Sequence, residues 1–193
     1  MTYLDTINAI LGTCGYVPLA SLEEEHPFKD AAVSLFDTTL STELSRGWYF
    51  NRKYDTLHPN AQGEIYVSHD VLDFSPLTPG FYKAGNRICK IGDFLTPVSS
   101  SIYGRLVYAI PFEDCPALFQ NFVTALTKHS FQTVYDGDST KTRQLAALLE
   151  VAWASFHTSE IRGTGANILD SNVRLQGVRN AFRNTYSRIG TRK

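Results

Sequence analysis

The chain's 193 residues, 43% hydrophobic and 19% charged with a net charge of −1, suffice for one well-buried core and a small inserted subdomain. That composition excludes a disordered or fibrous chain. No apolar run approaches the ~18 residues that cross a bilayer, and the start, Met1–Asp5, has neither the basic region nor the apolar core of a secretory leader.

Residues 2–14 read as a helix. Thr2 caps it, Asp5 completes a capping box, and Leu4, Ile7, Leu11 and Cys14 make one apolar face. Gly15 and Pro18 end it, and Glu23-Glu24-Glu25 in the next loop form a solvated charge run. A second helix is expected from Pro27, a favoured first-turn residue, with Ala32, Leu35, Phe36, Leu40 (or Thr39) and Leu44 inward. Gly47 falls where a left-handed cap belongs.

Directly after that cap, "SRGWYFN" (residues 45–51) sets three large aromatics in a row. Residues 48–112 then change character. Turn formers such as His58-Pro59-Asn60, Ser75-Pro76, Gly85-Asn86 and Gly92-Asp93 separate short runs at Trp48–Tyr54, Glu64–Val67, Arg87–Ile91 and Tyr103–Ile110. This pattern predicts a small antiparallel β-subdomain. On that reading Trp48 and Phe50 share one face of the first strand, with Tyr49 and Asn51 on the other.

After Pro111 the helical period returns. One helix is expected from about Cys115 to Val134, burying Leu118, Phe119, Phe122, Val123 and Leu126. Another is expected over about Ser139–Ile161, capped by Asp138 or Ser139 and burying Leu145, Leu148, Leu149, Ala152 and Phe156. From Ala166 the chain is polar, arginine-rich and weakly periodic. The expected fold class is therefore α+β: a bundle of about four helices (1–47 and 113–165), an inserted antiparallel β-subdomain (48–112) and an extended basic C-terminal arm (166–193).

Charge is unevenly spread. From Arg162 onward seven basic residues meet one acid, Asp170, which leaves 11 basic and 18 acidic groups, or −7, in the residues before it. An acidic body with a basic tail points to an acidic partner for the tail, either nucleic acid or a protein surface. Cys14, Cys89 and Cys115 are odd in number and far apart, so they read as reduced, buried small hydrophobes.

Catalytic signatures are missing. The five histidines (His26, His58, His69, His129, His157) share no metal-ligand spacing. "RGTG" at 162–165 lacks the strand and the Gly-Lys-Ser/Thr of a phosphate loop. Asp136-Gly137-Asp138 lacks the further ligands of a calcium loop, and Glu113-Asp114 precede a helix, where acids complement its dipole. No cofactor or metal is implied, and nothing supports an enzyme. A nucleic-acid-binding module is the alternative, using the arm together with Trp48, Tyr49 and Tyr54 as stacking surfaces. The net charge of −1 weighs against it, because DNA affinity comes largely from phosphate neutralisation.

Several stretches together resemble a known family. They are "INAILGTCGYVPLASLE", with its Gly-x-x-Pro-x-x-x-Leu turn, then "SRGWYFNRKYDTLHPNAQGEIYVSHDVLDF", "PFEDCPALFQNFVTALTKHSFQ", the Gly137-Asp138 turn and "NILD" at 167–170. In order and spacing they are similar to tail tubular protein A, the head-to-tail adaptor or gatekeeper of short-tailed bacteriophages. Cys14 and Tyr16 depart from the family's "IGE-x-P", and the arm has no clear counterpart. The resemblance implies a non-enzymatic virion protein that forms a dodecameric ring, and the reading of the cysteines as reduced fits assembly in the host cytoplasm. Such a ring docks on the portal protein, carries the tail nozzle protein, neighbours the tail fibre protein and lets genomic DNA pass without specific binding. Gly47, Trp48 and Phe50 would then anchor the junction between helices and β-subdomain. From its composition, the arm is expected to order only on docking, with Arg174, Arg179, Arg183 and Arg188 pairing portal carboxylates and Phe182 and Ile189 filling pockets.

Overall fold

A computed structural model describes residues 1–93, 98 and 100–164. The chain falls into two units, residues 1–156 and 157–193, and of the second only 157–164, the end of the last helix, is described. Among its described residues the first unit is α+β, with three helices, most of a fourth, and two three-stranded antiparallel sheets.

Helix α1 (Tyr3–Leu11) begins as its letters require. The Thr2 hydroxyl accepts the Asp5 N–H while the Asp5 carboxylate accepts the Thr2 N–H, both at 3.1 Å. A further orphan donor at this end, the Tyr3 N–H, reaches Glu113 Oε1 at 3.2 Å. The helix is shorter than expected. Gly12–Cys14 tighten into a 3-10 turn that Gly15 ends at φ 82°, and the buried face is Thr6, Ile7, Ile10 and Leu11. Leu4 and Cys14 are only half-buried. The loop beyond is pinned by Asn8, whose amide holds both the N–H and the carbonyl of buried Leu19 at 2.8 and 2.9 Å.

Helix α2 (Lys29–Ser45) starts two residues after Pro27, with Phe28 at its N-cap. Ala32, Phe36 and Leu44 are buried, Leu35 and Leu40 half-buried. The strands are β1 (Arg52–Leu57), β2 (Ile65–Tyr66), β3 (Val71–Pro76), β4 (Phe81–Ala84), β5 (Arg87–Lys90) and β6 (Ile102–Tyr108). They pair in the orders β1-β6-β3 and β2-β5-β4. Two corrections follow. Strands β3 and β4 were not foreseen, and β1 starts at Arg52, so Trp48–Asn51 are not strand residues.

Helix α3 (Ala117–Tyr135) buries Phe119, Phe122, Val123 and Phe131 together with Gln120, Thr124, Thr127 and Gln132. Its inward arc is therefore rotated from the expected one, leaving Leu118 40% exposed and Leu126 half-buried. The reason is polar: Gln120 Nε2 donates to the carbonyls of Phe112, Glu113 and Cys115 at 2.9–3.1 Å, so its side chain has to point inward. Helix α4 (Ser139–Gly163) is capped by Asp138, whose Oδ1 accepts from Thr140 and Lys141. Of its expected core face only Phe156 is fully buried; Leu145, Leu149 and Ala152 are half-buried, and Leu148 is exposed.

Apolar burial is gathered in two clusters. One joins the helices through Ile7, Ile10, Leu11, Phe36, Leu44, Phe119, Val123, Phe131 and Phe156. The other lies on the strands, with Ile65, Val71, Phe74, Ile88, Ile102 and Leu106. Among the described residues no helix is long and apolar enough to cross a membrane.

Candidate functional site

The junction at "SRGWYFN" is a turn built around one amide. After Ser45 the chain passes Arg46 and enters Gly47 at φ 74°. Glycine is required here twice over. The left-handed backbone disfavours a side chain, and a Cβ would stand 2.7 Å from Val107 Cγ2. Next, buried Asn51 folds back on the chain. Its Oδ1 accepts the Trp48 N–H at 2.8 Å, and its Nδ2 donates to the Leu44 carbonyl at 2.8 Å and the Tyr108 carbonyl at 2.9 Å. The backbone joins in, Asn51 N–H to Trp48 C=O at 3.2 Å and Tyr108 N–H to Asn51 C=O at 2.8 Å. One side chain thus ties the end of α2 to the end of β6. It was overlooked in the sequence, where an Asn after three aromatics reads as strand; the signal available was its habit of capturing nearby backbone.

Trp48 belongs to the helical cluster and is 8% exposed. Its ring meets Phe156 edge-on at 4.8 Å, Trp153 at 6.0 Å and Phe119 at 6.5 Å. Its indole N–H donates to the Glu43 carbonyl at 2.7 Å. Phe50 is half-buried, 5.0 Å from Phe119. Such edge-to-face pairs suit the ring quadrupoles. Gly47, Trp48 and Phe50 therefore sit at one corner, while Tyr49 is half-buried and Tyr54 is 52% exposed. Of the three stacking candidates for nucleic acid, only Tyr54 offers an open ring.

Beside the corner lies a groove of about 340 Å³ lined by Glu43, Arg46, Phe122, Leu126, Leu149, Glu150 and Trp153. Burial holds the Glu43 carboxyl above its usual range, against the pull of Arg46, whose Nε is 3.0 Å from Oε2. That contact is ionic without hydrogen-bond alignment. Elsewhere, burial and adjoining Asp114 push the Cys115 thiol up to about 11, so it stays protonated at neutral pH. Cys14, Cys89 and Cys115 are all free thiols. Among the described residues no three His, Cys, Asp or Glu side chains gather as a metal site. The arm residues Arg174, Arg179, Phe182, Arg183, Arg188 and Ile189 lie outside the described residues.

Two similarities to known proteins bear on this corner and the folds around it. A family model described as tail tubular protein matches residues 4–155, from the first turn of α1 to within α4. The phosphoribosylformylglycinamidine synthase subunit PurL of Symbiobacterium thermophilum is 25% identical over 162 residues, covering 78% of this chain and 21% of that protein. The chain thus spans about a fifth of that curated relative's length, and the likeness carries no reaction over to it.

Proposed function

This chain belongs to the tail tubular protein family and is a structural component of a phage tail, and on that premise we propose that it is the adaptor between portal and nozzle. In this reading copies assemble into a ring, dodecameric as the resemblance implies, which docks on the portal protein and carries the nozzle protein. The tail fibre protein neighbours it, and assembly takes place in the host cytoplasm. The observation that carries the proposal is the reach of the family match, which runs through the "SRGWYFN" corner and the six described strands. The deciding experiment is the mass of the protein alone and mixed with portal particles. A protein that stays monomeric and leaves the portal unbound would end the adaptor reading.

We also propose that Gly47, Trp48 and Phe50 anchor the helical part to residues 48–112, and that the basic arm is the portal attachment element. Arg174, Arg179, Arg183 and Arg188 are suited to bidentate pairing with carboxylates, with Phe182 and Ile189 as apolar anchors. Deleting residues 171–193 should abolish docking on portal particles while leaving the melting temperature of the protomer unchanged. Full docking by the shortened protein would remove the arm from this role.

DNA passes the ring without specific binding in this reading. The balance of −7 before Arg162 supports it, because every phosphate held would add salt-sensitive affinity and drag. A protein ending at Glu160 should show no retardation of duplex DNA in a gel at low salt. The nucleic-acid module is the weaker reading, since Trp48 is buried among Phe119, Trp153 and Phe156.

A further inference from the structure

Helix α4 is apolar on two sides, yet within residues 1–156 it is covered on only one. Its inner side carries Leu145, Leu149, Ala152, Trp153 and Phe156. Around the helix from these, at three- and four-residue steps, Ala147, Leu148 and Val151 form a second stripe, with Leu148 59% and Val151 66% exposed. A helix apolar on opposite faces is normally buried on both, and an apolar strip rimmed by polar groups marks an interaction surface. At the Leu148 end of the stripe lies a groove of about 240 Å³ lined by Ala9, Gly12, Lys128, Lys141, Leu145 and Leu148 among others, with two cations and no acid on its wall. Lys141 is neutralised by Asp136 at 2.8 Å, whereas Lys128 and, flanking the stripe, Arg143 have no ion-pair partner among the described residues.

A stretch of opposite charge follows α1. In the loop after α1, Val17 is 80% exposed and Leu22 40% exposed, beside Glu23 and Glu25, whose carboxylates have no ion-pair partner among the described residues. Apolar residues with free acids on one face and apolar residues with free bases on another can mate head to tail. Such heterologous contact gives a ring when the rotation between copies closes, and a filament when it does not.

We infer that the outer stripe of α4 and its groove are the surface on which a second copy of this chain docks, the incoming element being the acidic loop around Val17, Leu22, Glu23 and Glu25. The inference rests on the ring reading above and names the surface that would build it. Complementary charges set register and partner choice here, while the apolar stripe supplies the burial.

The test uses the full chain and three variants, followed by sedimentation alone and on portal particles. Val151→Arg should lose the assembled species while keeping the wild-type melting temperature as a monomer. The double variants Glu23→Lys/Glu25→Lys and Lys128→Glu/Arg143→Glu should each fail to assemble alone and should assemble when mixed, because loop and groove again carry opposite signs. Wild-type assembly by Val151→Arg would overturn the inference and leave the ring reading standing. A Val151→Arg monomer that melts well below wild type would also overturn it, since the stripe would then be covered by the chain itself. So would a mixed pair that does not co-assemble. A wild-type protein monomeric in both settings would overturn ring and surface together.

Discussion

Replacing Trp48 by alanine should cost the protomer about 3–5 kcal/mol, the usual loss when a buried aromatic site is emptied. The site cannot collapse easily, because its walls are other rings: Phe156 already packs against Phe119, Trp153 and Phe122, and Trp153 against Phe122. The substitution also removes the indole donor from the Glu43 carbonyl, which keeps the Arg46 N–H at 3.2 Å, so the lost hydrogen bond adds about 1 kcal/mol net. Chemical denaturation reads the effect directly. A loss below about 1 kcal/mol, under the range for such truncations, would mean that the corner repacks and that Trp48 is not its anchor.

Asn51→Ala should be nearly as damaging, although it removes only a short polar side chain. Three bonds vanish at once, from the Trp48 N–H and to the Leu44 and Tyr108 carbonyls. Each is worth about 1 kcal/mol net, and a buried group left unpaired costs about 1–3 kcal/mol, so a total of about 3 kcal/mol or more is expected. Asn51→Asp separates the contributions. The acid keeps the acceptor for Trp48 but cannot donate to either carbonyl, so it should recover little stability. Denaturation midpoints near wild type for both variants would show that water replaces the amide.

What the sequence disclosed depended on how local each cause was. The cap at Thr2 and Asp5 and the glycine at 47 were legible because their physics lies within a few residues. Trp48–Asn51 were misread as strand because aromatics favour strands; the competing pull, an asparagine reaching across 57 positions to Tyr108, is invisible in a local window. Strand β3 escaped notice because it ends in Pro76 and slips register between Val71 and Asp73, which breaks the alternation that identifies strands. On α3, Leu118 was placed inward by its letter, whereas the three carbonyls held by Gln120 set the rotation. On α4, Leu148 was placed on the core face by its three- and four-residue spacing from Leu145 and Ala152, whereas the packing leaves it 59% exposed. The candidate corner was thus visible as a cluster of letters, but the amide that organises it was not.

The amide of Asn51 also decides how the molecule comes apart. Helical and strand clusters each have apolar residues of their own, and two such cores would ordinarily be free to melt at separate temperatures. Here, peeling the end of β6 from its place breaks the same side chain that finishes α2, since Leu44 and Tyr108 share one donor. Neither cluster can loosen its edge without uncapping the other. The two should therefore lose structure cooperatively, in a single calorimetric transition, and a pull applied to the strands should be felt in the helices; two separate transitions would show that the amide does not couple them.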